Sequence, residues 1–596
     1  MIKTAMIMAA GMGTRFGHYT DLVPKGFVPV GGKPMILRSI DTLLSCGIER
    51  IVIGTGYRCE VYDELKKEYP MIETCFSPLY AETNSMYTLY NTREILGDDD
   101  FLLLESDLIF EPAAIRSLLL CEASDVMLIT PVTKFQDQYY VEHDSEHTLT
   151  NCSVNKDEVD VKGELVGIHK LSHTFYAKMC SDYEGILAEQ PKLGYEYELL
   201  RMSRSVSPVY VLNVPGLKWY EIDDVQDLDI AESIFSEGTE KLHKFQKRYG
   251  GYWRYPKMLD FCYLVNPYFP NKKLIDEMQA NFQTLLTQYP SGMHINSLIA
   301  AKNFGLKEPQ IIVGNGAAEL IKSLMEGLTG KIGVLHPSFE EYANRRKPED
   351  LVPFVCQNPD YTYTADELME FYDKTDIKNL LIVNPDNPSG NYIPKADVIR
   401  LIAWAKQRSI KLVIDESFVD FVDMEENTTL LEQSLLNSNP HLYVVKSISK
   451  SYGVPGLRLG ILASGDAEAI ATMKKDVAIW NINSFAEFYM QIYEKYKSAY
   501  AAGLTRFYQT RKKFIEDLAE ISFLRVIPSQ ANYVLCEITK DYTSTGLTTI
   551  LLEDNILIKD LSTKKGFEGK QYVRIAVRDE EDNQMLISAL KALLLK

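Results

Sequence analysis

The sequence predicts two α/β domains on one chain. At 596 residues it is too long for a single hydrophobic core, because cores stop growing at roughly 250–300 residues. Two series of apolar strands alternate with helix-length segments, one from Thr4 and one after Gly250, and this alternation is typical of parallel sheets covered by helices. A polar, charged segment at 237–249 is the predicted linker, which gives domains at 1–236 and 250–596.

The elements follow from the apolar pattern. In the first domain, the strand from Thr4 is followed by a glycine-rich turn, a helix opened by Pro34, and further elements: a strand at Arg50–Gly54, a helix near Cys59–Tyr69, and buried strands at Phe101–Glu105 and Val126–Pro131. In the second domain the apolar runs predict strands near Gln310–Val313, Lys331–Leu335, Asn379–Val383, Lys411–Ile414 and Leu442–Val445.

Composition narrows the class of partner. The formal net charge of -19 argues against nucleic acid and against an anionic membrane, since both favour a basic protein surface. The nine cysteines contain no C-x-x-C pair, so neither zinc nor a disulfide framework is indicated, and reduced thiols in a cytoplasmic protein are expected. The apolar run Ala5–Ala10 is too short for a signal sequence or a membrane span. Small-molecule chemistry is therefore the expectation.

The first candidate site begins at the glycine turn AAGMGTRF (9–16), directly after a strand. Backbone N–H groups of such a turn can bind phosphates. Lys25, in LVPKG, is spaced so that its ammonium meets the phosphates that Arg15 also contacts. A glycine turn alone is as often structural, and either cation alone is often a surface charge, so the prediction depends on the complete motif.

This motif, followed by VPK, resembles the signature of the sugar-phosphate and choline-phosphate nucleotidyltransferases, and the resemblance extends over the first domain. It implies a Rossmann-like domain that uses CTP and Mg²⁺, with Arg15 and Lys25 as catalytic cations. The segment AETNSMYTL (81–89) is similar to the loop that recognises cytosine in the choline-phosphate branch. The nucleotide-binding residues implied are Ala10, Gly11, Gly13, Thr14, Arg15, Lys25, Asn84, Ser85 and Glu105.

Carboxylates after two strands are the implied metal ligands. Asp107 ends the motif ESD, and Glu221 and Asp223 belong to YEIDD. Asp107 and Asp223 are the preferred candidates, and Glu221 is ranked after them. Magnesium prefers carboxylate oxygens and keeps ligand positions for substrate phosphates. Asp107 could instead cap a helix, and Asp224 is expected to cap the helix that follows it.

The acceptor pocket is placed at GYEYE (194–198). Choline-phosphate enzymes of this family use an aromatic pocket for the quaternary ammonium, and the corresponding residues here are aromatic and acidic: Tyr195, Glu196, Tyr197 and Glu198. Carboxylates suit a primary ammonium, which donates hydrogen bonds that a trimethylammonium group cannot. An ordinary amphipathic helix face is the alternative for each residue.

The second domain carries a set of motifs in a fixed order. GNGAAE (314–319) lies at a strand-to-helix turn, NPDNPSG (384–390) and DE (415–416) each follow a strand, and VKSISKSYG (445–453) precedes GLRLG (456–460). Their order resembles that of the fold-type-I aminotransferases, and in detail the branch of histidinol-phosphate aminotransferase and threonine-phosphate decarboxylase. The resemblance implies a large α/β domain, a small α+β domain and pyridoxal 5'-phosphate.

The resemblance to the fold-type-I aminotransferases implies a role for each matching residue of the cofactor site. Lys450 would form the imine with the cofactor and transfer a proton, Asp415 would pair with the pyridinium nitrogen, Asn387 would hydrogen-bond the ring hydroxyl, and Tyr342 would stack on the ring. The residues implied for the cofactor phosphate are Gly316, Ala317, Ala318, Ser447, Ser449 and Arg458.

Two further residues concern the donor and the partner subunit. Arg574 matches the arginine that binds the amino donor's carboxylate, and Tyr289 matches the tyrosine that reaches the neighbouring subunit's cofactor, which implies a homodimer through this domain. Phe418 stands where many relatives have tyrosine, and the decarboxylase branch also accepts phenylalanine there. An aminotransferase is preferred, and a decarboxylase stays open.

Two activities on one chain suggest consecutive steps through an intermediate with an amine and a phosphate-like group. The fusion resembles the bifunctional 2-aminoethylphosphonate cytidylyltransferase–transaminase proteins, which implies transamination of phosphonoacetaldehyde with an amino-acid donor, and then CMP transfer from CTP to 2-aminoethylphosphonate. The enzymatic alternative is a phosphocholine or phosphoethanolamine cytidylyltransferase whose attached aminotransferase or decarboxylase serves another phosphorylated amine. A regulatory protein with an inactive aminotransferase fold is a third possibility, but the chain retains Lys450 and shows no helix-turn-helix pattern.

Overall fold

The computed structural model describes residues 2–20, 23–133, 138–255, 257–424 and 427–595. It divides into two compact units, Met1–Pro256 and Lys257–Lys596. The predicted linker at 237–249 lies inside the first unit, where Gly238–Arg248 is a helix with Leu242 and Phe245 buried. These two apolar residues, three positions apart, give a charged segment one buried helical face, and for this reason it is not a linker.

The predicted α/β architecture is confirmed in the first unit. Its strands are β1 Thr4–Ala9, β2 Pro29–Val30, β3 Lys33–Pro34, β4 Arg50–Thr55, β5 Ile72–Phe76, β6 Phe101–Glu105, β7 Leu108–Phe110, β8 Val126–Thr130, β9 Tyr140–His143, β10 Leu149–Ser153, β11 Gly163–Leu171, β12 Tyr210–Asn213 and β13 Trp219–Glu221. Its helices are α1 Met35–Ser45, α2 Cys59–Glu64, α3 Ser85–Asn91, α4 Arg93–Leu96, α5 Ala113–Leu120, α6 His173–Ile186, α7 Tyr195–Ser205, α8 Val225–Phe235 and α9 Gly238–Arg248.

The main sheet of this unit has the path β10-β9-β11-β6-β1-β4-β5, with β8 beside β11 and β12 beside β8. Strand β1 is buried along its whole length and pairs in parallel with β4 and β6, as expected for a strand covered on both faces. In the register of β1 with β6, Met8 lies opposite Glu105. The glycine turn after β1 and the acidic residues that end β6 therefore meet at the carboxyl edge of the sheet.

The second unit is also α/β. Its strands are β14 Leu259–Asp260, β15 Ile311–Asn315, β16 Ile332–His336, β17 Leu351–Val355, β18 Asn379–Val383, β19 Lys411–Asp415, β20 Leu442–Ser447, β21 Leu459–Ser464, β22 Leu524–Ile527, β23 Tyr533–Ile538, β24 Ile556–Leu557, β25 Lys559–Asp560 and β26 Tyr572–Ala576. Its helices are α10 Lys272–Ala280, α11 Phe282–Thr287, α12 Met293–Phe304, α13 Gly316–Gly327, α14 Ala365–Tyr372, α15 Lys395–Gln407, α16 Gln433–Ser438, α17 Ala467–Asp476, α18 Ser484–Ile492, α19 Lys497–Ala519, α20 Ser544–Glu553 and α21 Glu580–Leu593.

Two sheets organise this unit, a seven-stranded sheet in the order β15-β21-β20-β19-β18-β16-β17 and a four-stranded antiparallel sheet in the order β22-β23-β26-β25. Strands β18, β19 and β20 are parallel, so the residues that follow them share one edge. Strand β21 is antiparallel to β20 and begins at that same edge, with Gly460 opposite Ser447. Within the described ranges, no helix combines the length and apolarity that crossing a membrane requires.

Candidate active sites

The glycine turn of the first unit forms one wall of a cavity of about 350 Å³. Ala10 and Gly11 line this cavity, whereas Gly13 and Thr14 are not among its lining residues. Gly13 has φ +62°, and a Cβ atom there would lie 3.2 Å from Cβ of Lys25, so glycine is favoured where the turn packs against this lysine. The turn therefore places open backbone beside a cation, as phosphate binding needs.

Lys25 lies between two carboxylates. Its Nζ donates to Asp107 and, at 2.9 Å, to Asp223. Burial lowers the pKa of this ammonium, but the charges of Asp107 and Asp223 raise it further, so the net shift is upward. Arg15 also donates to Asp223 at 2.9 Å and remains more than half exposed. The two predicted catalytic cations thus converge on one acidic edge.

The carboxylates that could share a metal ion differ from the predicted set by one residue. Glu105, Asp107 and Glu221 each offer an oxygen within 4.8 Å of the others, whereas Asp223 forms ion pairs with both cations instead. The buried Oδ1 of Asp107 accepts no hydrogen bond, and three hard oxygen donors suit Mg²⁺. Glu105, predicted as a nucleotide contact, therefore joins Asp107 and Glu221 in the candidate metal group, and metal binding by Asp223 stays a prediction.

A chain of buried hydrogen bonds supports Glu105. The hydroxyl of Tyr195 donates to Glu105 Oε1 at 2.6 Å, and Nε2 of His169 lies 3.0 Å from the same hydroxyl. Burial lowers the pKa of His169 to about 3, so this imidazole is neutral. Burial, followed by the charges of Asp107 and Glu221, raises the pKa of Glu105 well above its ordinary value. A divalent cation would relieve that repulsion.

The segment predicted to bind the acceptor forms the first turns of α7, and its four residues have different surroundings. Tyr195 and Glu196 line the cavity, together with Tyr139. Tyr197 is partly exposed and packs edge-on against Tyr139, with ring centroids 5.6 Å apart. Glu198 is buried outside the cavity lining and accepts from Arg201 at 2.7 Å. Of the four residues predicted for the acceptor, Tyr195 and Glu196 line the cavity, and Tyr197 and Glu198 do not.

The predicted cytosine loop also reaches the cavity. Asn84 and Ser85 are lining residues, and the Asn84 side chain caps α3 by accepting from the Ser85 N–H at 2.8 Å. The Ser85 hydroxyl accepts from the backbone N–H of Tyr195 at 3.0 Å. This bond joins the start of α3 to the start of α7, so the nucleotide and acceptor walls are held together.

In the second unit, a cavity of about 310 Å³ contains most of the predicted cofactor residues. The residues predicted for this site that line it are Gly316, Ala317, Ala318, Asn387, Asp415, Ser447, Ser449, Lys450, Arg458 and Arg574. Burial, followed by the charges of Arg574 and Arg458, lowers the pKa of Lys450 to about 8. The lysine amine is therefore more readily deprotonated than an exposed one, as a nucleophilic lysine requires.

Asp415 is fixed by three hydrogen bonds. The Ser417 N–H and hydroxyl donate to its Oδ1 at 2.9 and 2.5 Å, and the Tyr342 hydroxyl donates to its Oδ2 at 2.8 Å. Tyr342 is fully buried and does not line the cavity, whereas Phe339, 40% exposed, does. The structure therefore places Phe339, and not Tyr342, at the surface of the cavity, while the Tyr342 hydroxyl holds Asp415. Stacking of Tyr342 on the ring stays a prediction.

The predicted phosphate site lies at the N-terminus of α13, a 12-residue helix. The Gly316 N–H donates to the backbone oxygen of Arg458 at 2.7 Å, so the helix start and the arginine are joined. The buried Ser449 hydroxyl has no hydrogen-bond partner. Free helix N–H groups, an unused hydroxyl and a guanidinium fit a phosphate.

Arg574 projects from β26 into the same cavity. Its Nη1 donates to Asn387 Oδ1 at 2.7 Å and its Nη2 to the backbone oxygen of Cys262 at 3.2 Å, while its buried Nε has no partner. Asn387 and Arg574 thus contact each other in this cavity, and their roles at the ring hydroxyl and the donor carboxylate stay predictions. Tyr289 is elsewhere, 79% exposed and stacked on Trp480 with centroids 4.4 Å apart.

Four residues of these sites were not predicted for the roles that the structure gives them. Phe339 and Ser417 lie inside or beside motifs already visible in the sequence, so each carries a positional signal. Tyr139 and His169 stand outside every motif, and only the fold brings them to the first site.

Comparisons with known proteins agree with this division. Residues 258–590 match the family model described as aminotransferase class I and II, and residues 5–178 match the MobA-like NTP transferase domain. The chain is 30% identical over 601 residues to CMP-5'-(3-aminopropyl)phosphonate synthase of Streptomyces rubellomurinus, which covers 98% of this chain and 94% of that protein.

The second unit has further relatives. L-serine phosphate decarboxylase of Sulfurospirillum multivorans is 30% identical over 348 residues, covering 56% of this chain and 88% of that protein. The crystal structure of the histidinol-phosphate aminotransferase from Clostridium acetobutylicum matches with a TM-score of 0.51 and 27% identity, covering 56% of this chain and 99% of that one.

Proposed function

The chain belongs to the class I and II aminotransferase family and carries a nucleotidyltransferase domain before it, and from this premise we propose that it makes and then activates an aminoalkylphosphonate. The enzyme has both activities. The proposed steps are transamination of phosphonoacetaldehyde to 2-aminoethylphosphonate and transfer of CMP from CTP to that product. The observation that carries the proposal is the relative named for CMP linked to an aminoalkylphosphonate, which matches both units along almost their whole length.

In the first unit, a phosphonate oxygen attacks the α-phosphorus of CTP, the bond to the β-phosphate breaks, and pyrophosphate leaves. The backbone at Ala10 and Gly11 and the ammonium of Lys25 face these phosphates. Glu105, Asp107 and Glu221 would hold Mg²⁺, which supplies positive charge to the transferring group when bound. No covalent bond to the protein is required.

In the second unit, the cavity residues would hold pyridoxal phosphate, which supplies an electron sink for the substrate's carbanion when bound. Asp415 would keep the ring nitrogen protonated, and Arg574 would bind the amino donor's carboxylate. Lys450 Nζ would remove the proton from the substrate's α-carbon. Phe339 and Phe418 add apolar walls that exclude water from this proton transfer.

A second candidate reaction is decarboxylation of an amino acid that carries a phosphate or phosphonate. Phe418, in place of the tyrosine found in many aminotransferases, lines the cofactor cavity, and a decarboxylase is among the relatives of this unit. In that reaction carbon dioxide leaves the α-carbon and a proton replaces it. The amine produced would still be a suitable CMP acceptor.

Assays of the intact chain test both proposals. We expect phosphonoacetaldehyde with an amino-acid donor to yield 2-aminoethylphosphonate, and CTP with that product to release pyrophosphate.

Asp107→Ala should abolish pyrophosphate release and keep transamination, whereas Lys450→Ala should lose transamination and the visible absorbance of the lysine-bound cofactor while CMP transfer continues. Release of carbon dioxide from phosphoserine or its phosphonate analogue, without transamination, would favour the decarboxylase. Preference for phosphocholine as acceptor would contradict the phosphonate proposal.

A further inference from the structure

We propose that the carboxylate of Glu196 binds the primary ammonium group of the acceptor in the first unit. This inference rests on the proposed function, because that function provides an acceptor with an amine at one end and a phosphonate at the other. Three carboxylates line the cavity, those of Glu105, Asp107 and Glu196. Asp107 pairs with Lys25 and Glu105 accepts from the Tyr195 hydroxyl, whereas Glu196 has neither a cation nor a side-chain donor among the described residues.

Glu196 is buried and incompletely paired. The residue is 7% exposed, it lines the cavity, and its Oε2 makes no hydrogen bond. In the ranges that the structure describes, no lysine or arginine forms an ion pair with it. Because a carboxylate removed from water is costly unless a cation or hydrogen-bond donors replace the water, the missing partner is expected to come from a ligand.

The surroundings of Glu196 favour an ammonium over a metal ion. The candidate metal group consists of Glu105, Asp107 and Glu221, and Glu196 is not part of it. Tyr139 and Tyr195 line the same part of the site, so the carboxylate is combined with aromatic walls. A primary ammonium has three N–H donors for carboxylate and hydroxyl oxygens, and aromatic faces also attract it. A trimethylammonium group is also attracted by the rings and by the carboxylate charge, but it has no N–H to donate.

Two neighbours of Glu196 in the sequence provide comparison variants. Glu198, two residues further along, is also buried, but its carboxylate pairs with Arg201, which in turn pairs with Asp182. Gly194 precedes the helix, and a Cβ atom there would lie 2.4 Å from Oε2 of Glu196. Gly194→Ala would therefore move the Glu196 carboxylate without removing its charge, and its φ of -76° imposes no strain on alanine.

The experiment compares two acceptors of equal length, 2-aminoethylphosphonate and propylphosphonate, in which a methyl group replaces the ammonium. For the full-length protein, kcat/KM with each acceptor gives a ratio that is independent of the fraction of active enzyme. We expect Glu196→Gln to lower this ratio by about 30-fold or more, the range for losing one partner of a buried charge pair. Gly194→Ala should lower it in the same direction, and Glu198→Gln should leave it unchanged, with the KM for CTP constant throughout.

An unchanged ratio in Glu196→Gln overturns the inference, as does an effect confined to the Mg²⁺ concentration required, which would make Glu196 a metal ligand. Failure of the proposed function is recognised separately, in the wild type: transfer of CMP to phosphocholine and none to 2-aminoethylphosphonate. If the wild type accepts 2-aminoethylphosphonate and Glu196→Gln keeps its preference for the ammonium, only the assignment of Glu196 fails.

Discussion

Lys450 shows how the environment prepares a residue for chemistry. An exposed lysine is protonated at neutral pH, but burial and the nearby guanidinium groups of Arg574 and Arg458 lower the pKa of Lys450 to about 8. The opposing charge of Asp415 raises the pKa and limits the shift. The position of Lys450 among these groups therefore determines how much neutral amine is present at physiological pH.

We predict that cofactor capture follows this pKa. Below about pH 8 the amine is protonated and cannot attack the pyridoxal carbonyl, and above it the amine is neutral, so the rate of cofactor binding to cofactor-free protein should rise through this pH and then level off. Stopped-flow absorbance between about pH 6 and pH 10 measures this binding rate. Arg574→Gln removes a cation and should move the midpoint upward, whereas Arg525→Gln, on β22 and outside the cavity lining, should not. A rate that still rises near the pKa of free lysine would contradict the assignment.

At the scale of elements, the start of α13 depends on one glycine. Gly316 has φ +72°, and a Cβ atom there would lie 2.6 Å from Nη2 of Arg458. Gly327, at the other end of the same helix, has open space around it. The backbone geometry and the position of Arg458 are therefore linked at the first residue of the helix.

We predict that Gly316→Ala weakens pyridoxal phosphate binding by tenfold or more. The left-handed conformation costs a residue with a Cβ atom roughly 1–2 kcal/mol, and Arg458 must also move. Cofactor titration, followed by absorbance, measures the affinity, and a thermal melt without cofactor measures stability. Gly327→Ala is the matched control and should change neither by much. Equal effects of the two substitutions would indicate general helix destabilisation.

The motifs predicted which strand ends carry the two sites, because the residues that follow parallel strands share one sheet edge. They could not decide which side chain faces a cavity. Phe339 and Tyr342 are both aromatic and lie in one short motif, and Glu196 and Glu198 lie two positions apart on a helix, about 200° around its axis. Such choices depend on packing by distant residues, such as the Asp415 carboxylate that holds Tyr342.

At the scale of the whole molecule, each unit contains the residues predicted for its own reaction, with one expected exception. Tyr289 does not contact the cofactor cavity of its own chain. It is 79% exposed and stacked on Trp480, which is itself half exposed. Large exposed aromatic side chains of this kind are enriched at protein interfaces. Tyr289 is therefore expected to contact the cofactor cavity of a second copy of the chain.

Subunit complementation tests this expectation. If Tyr289 reaches the cofactor phosphate of a neighbouring subunit, Tyr289→Ala and Lys450→Ala damage the same site from different chains. Each variant alone should be impaired in transamination, but a mixed dimer contains one site with Lys450 from the first chain and Tyr289 from the second, both intact.

Co-expression with two different affinity tags isolates this mixed dimer, and we expect about half of the wild-type transamination rate per dimer, since one of two sites is restored. The control pairs Lys450→Ala with Arg574→Gln, because these two residues line the same cavity of a single chain. In that control each site carries one substitution, so no recovery is expected. Recovery in the control alone, or in neither mixture, would show that Tyr289 acts within its own chain.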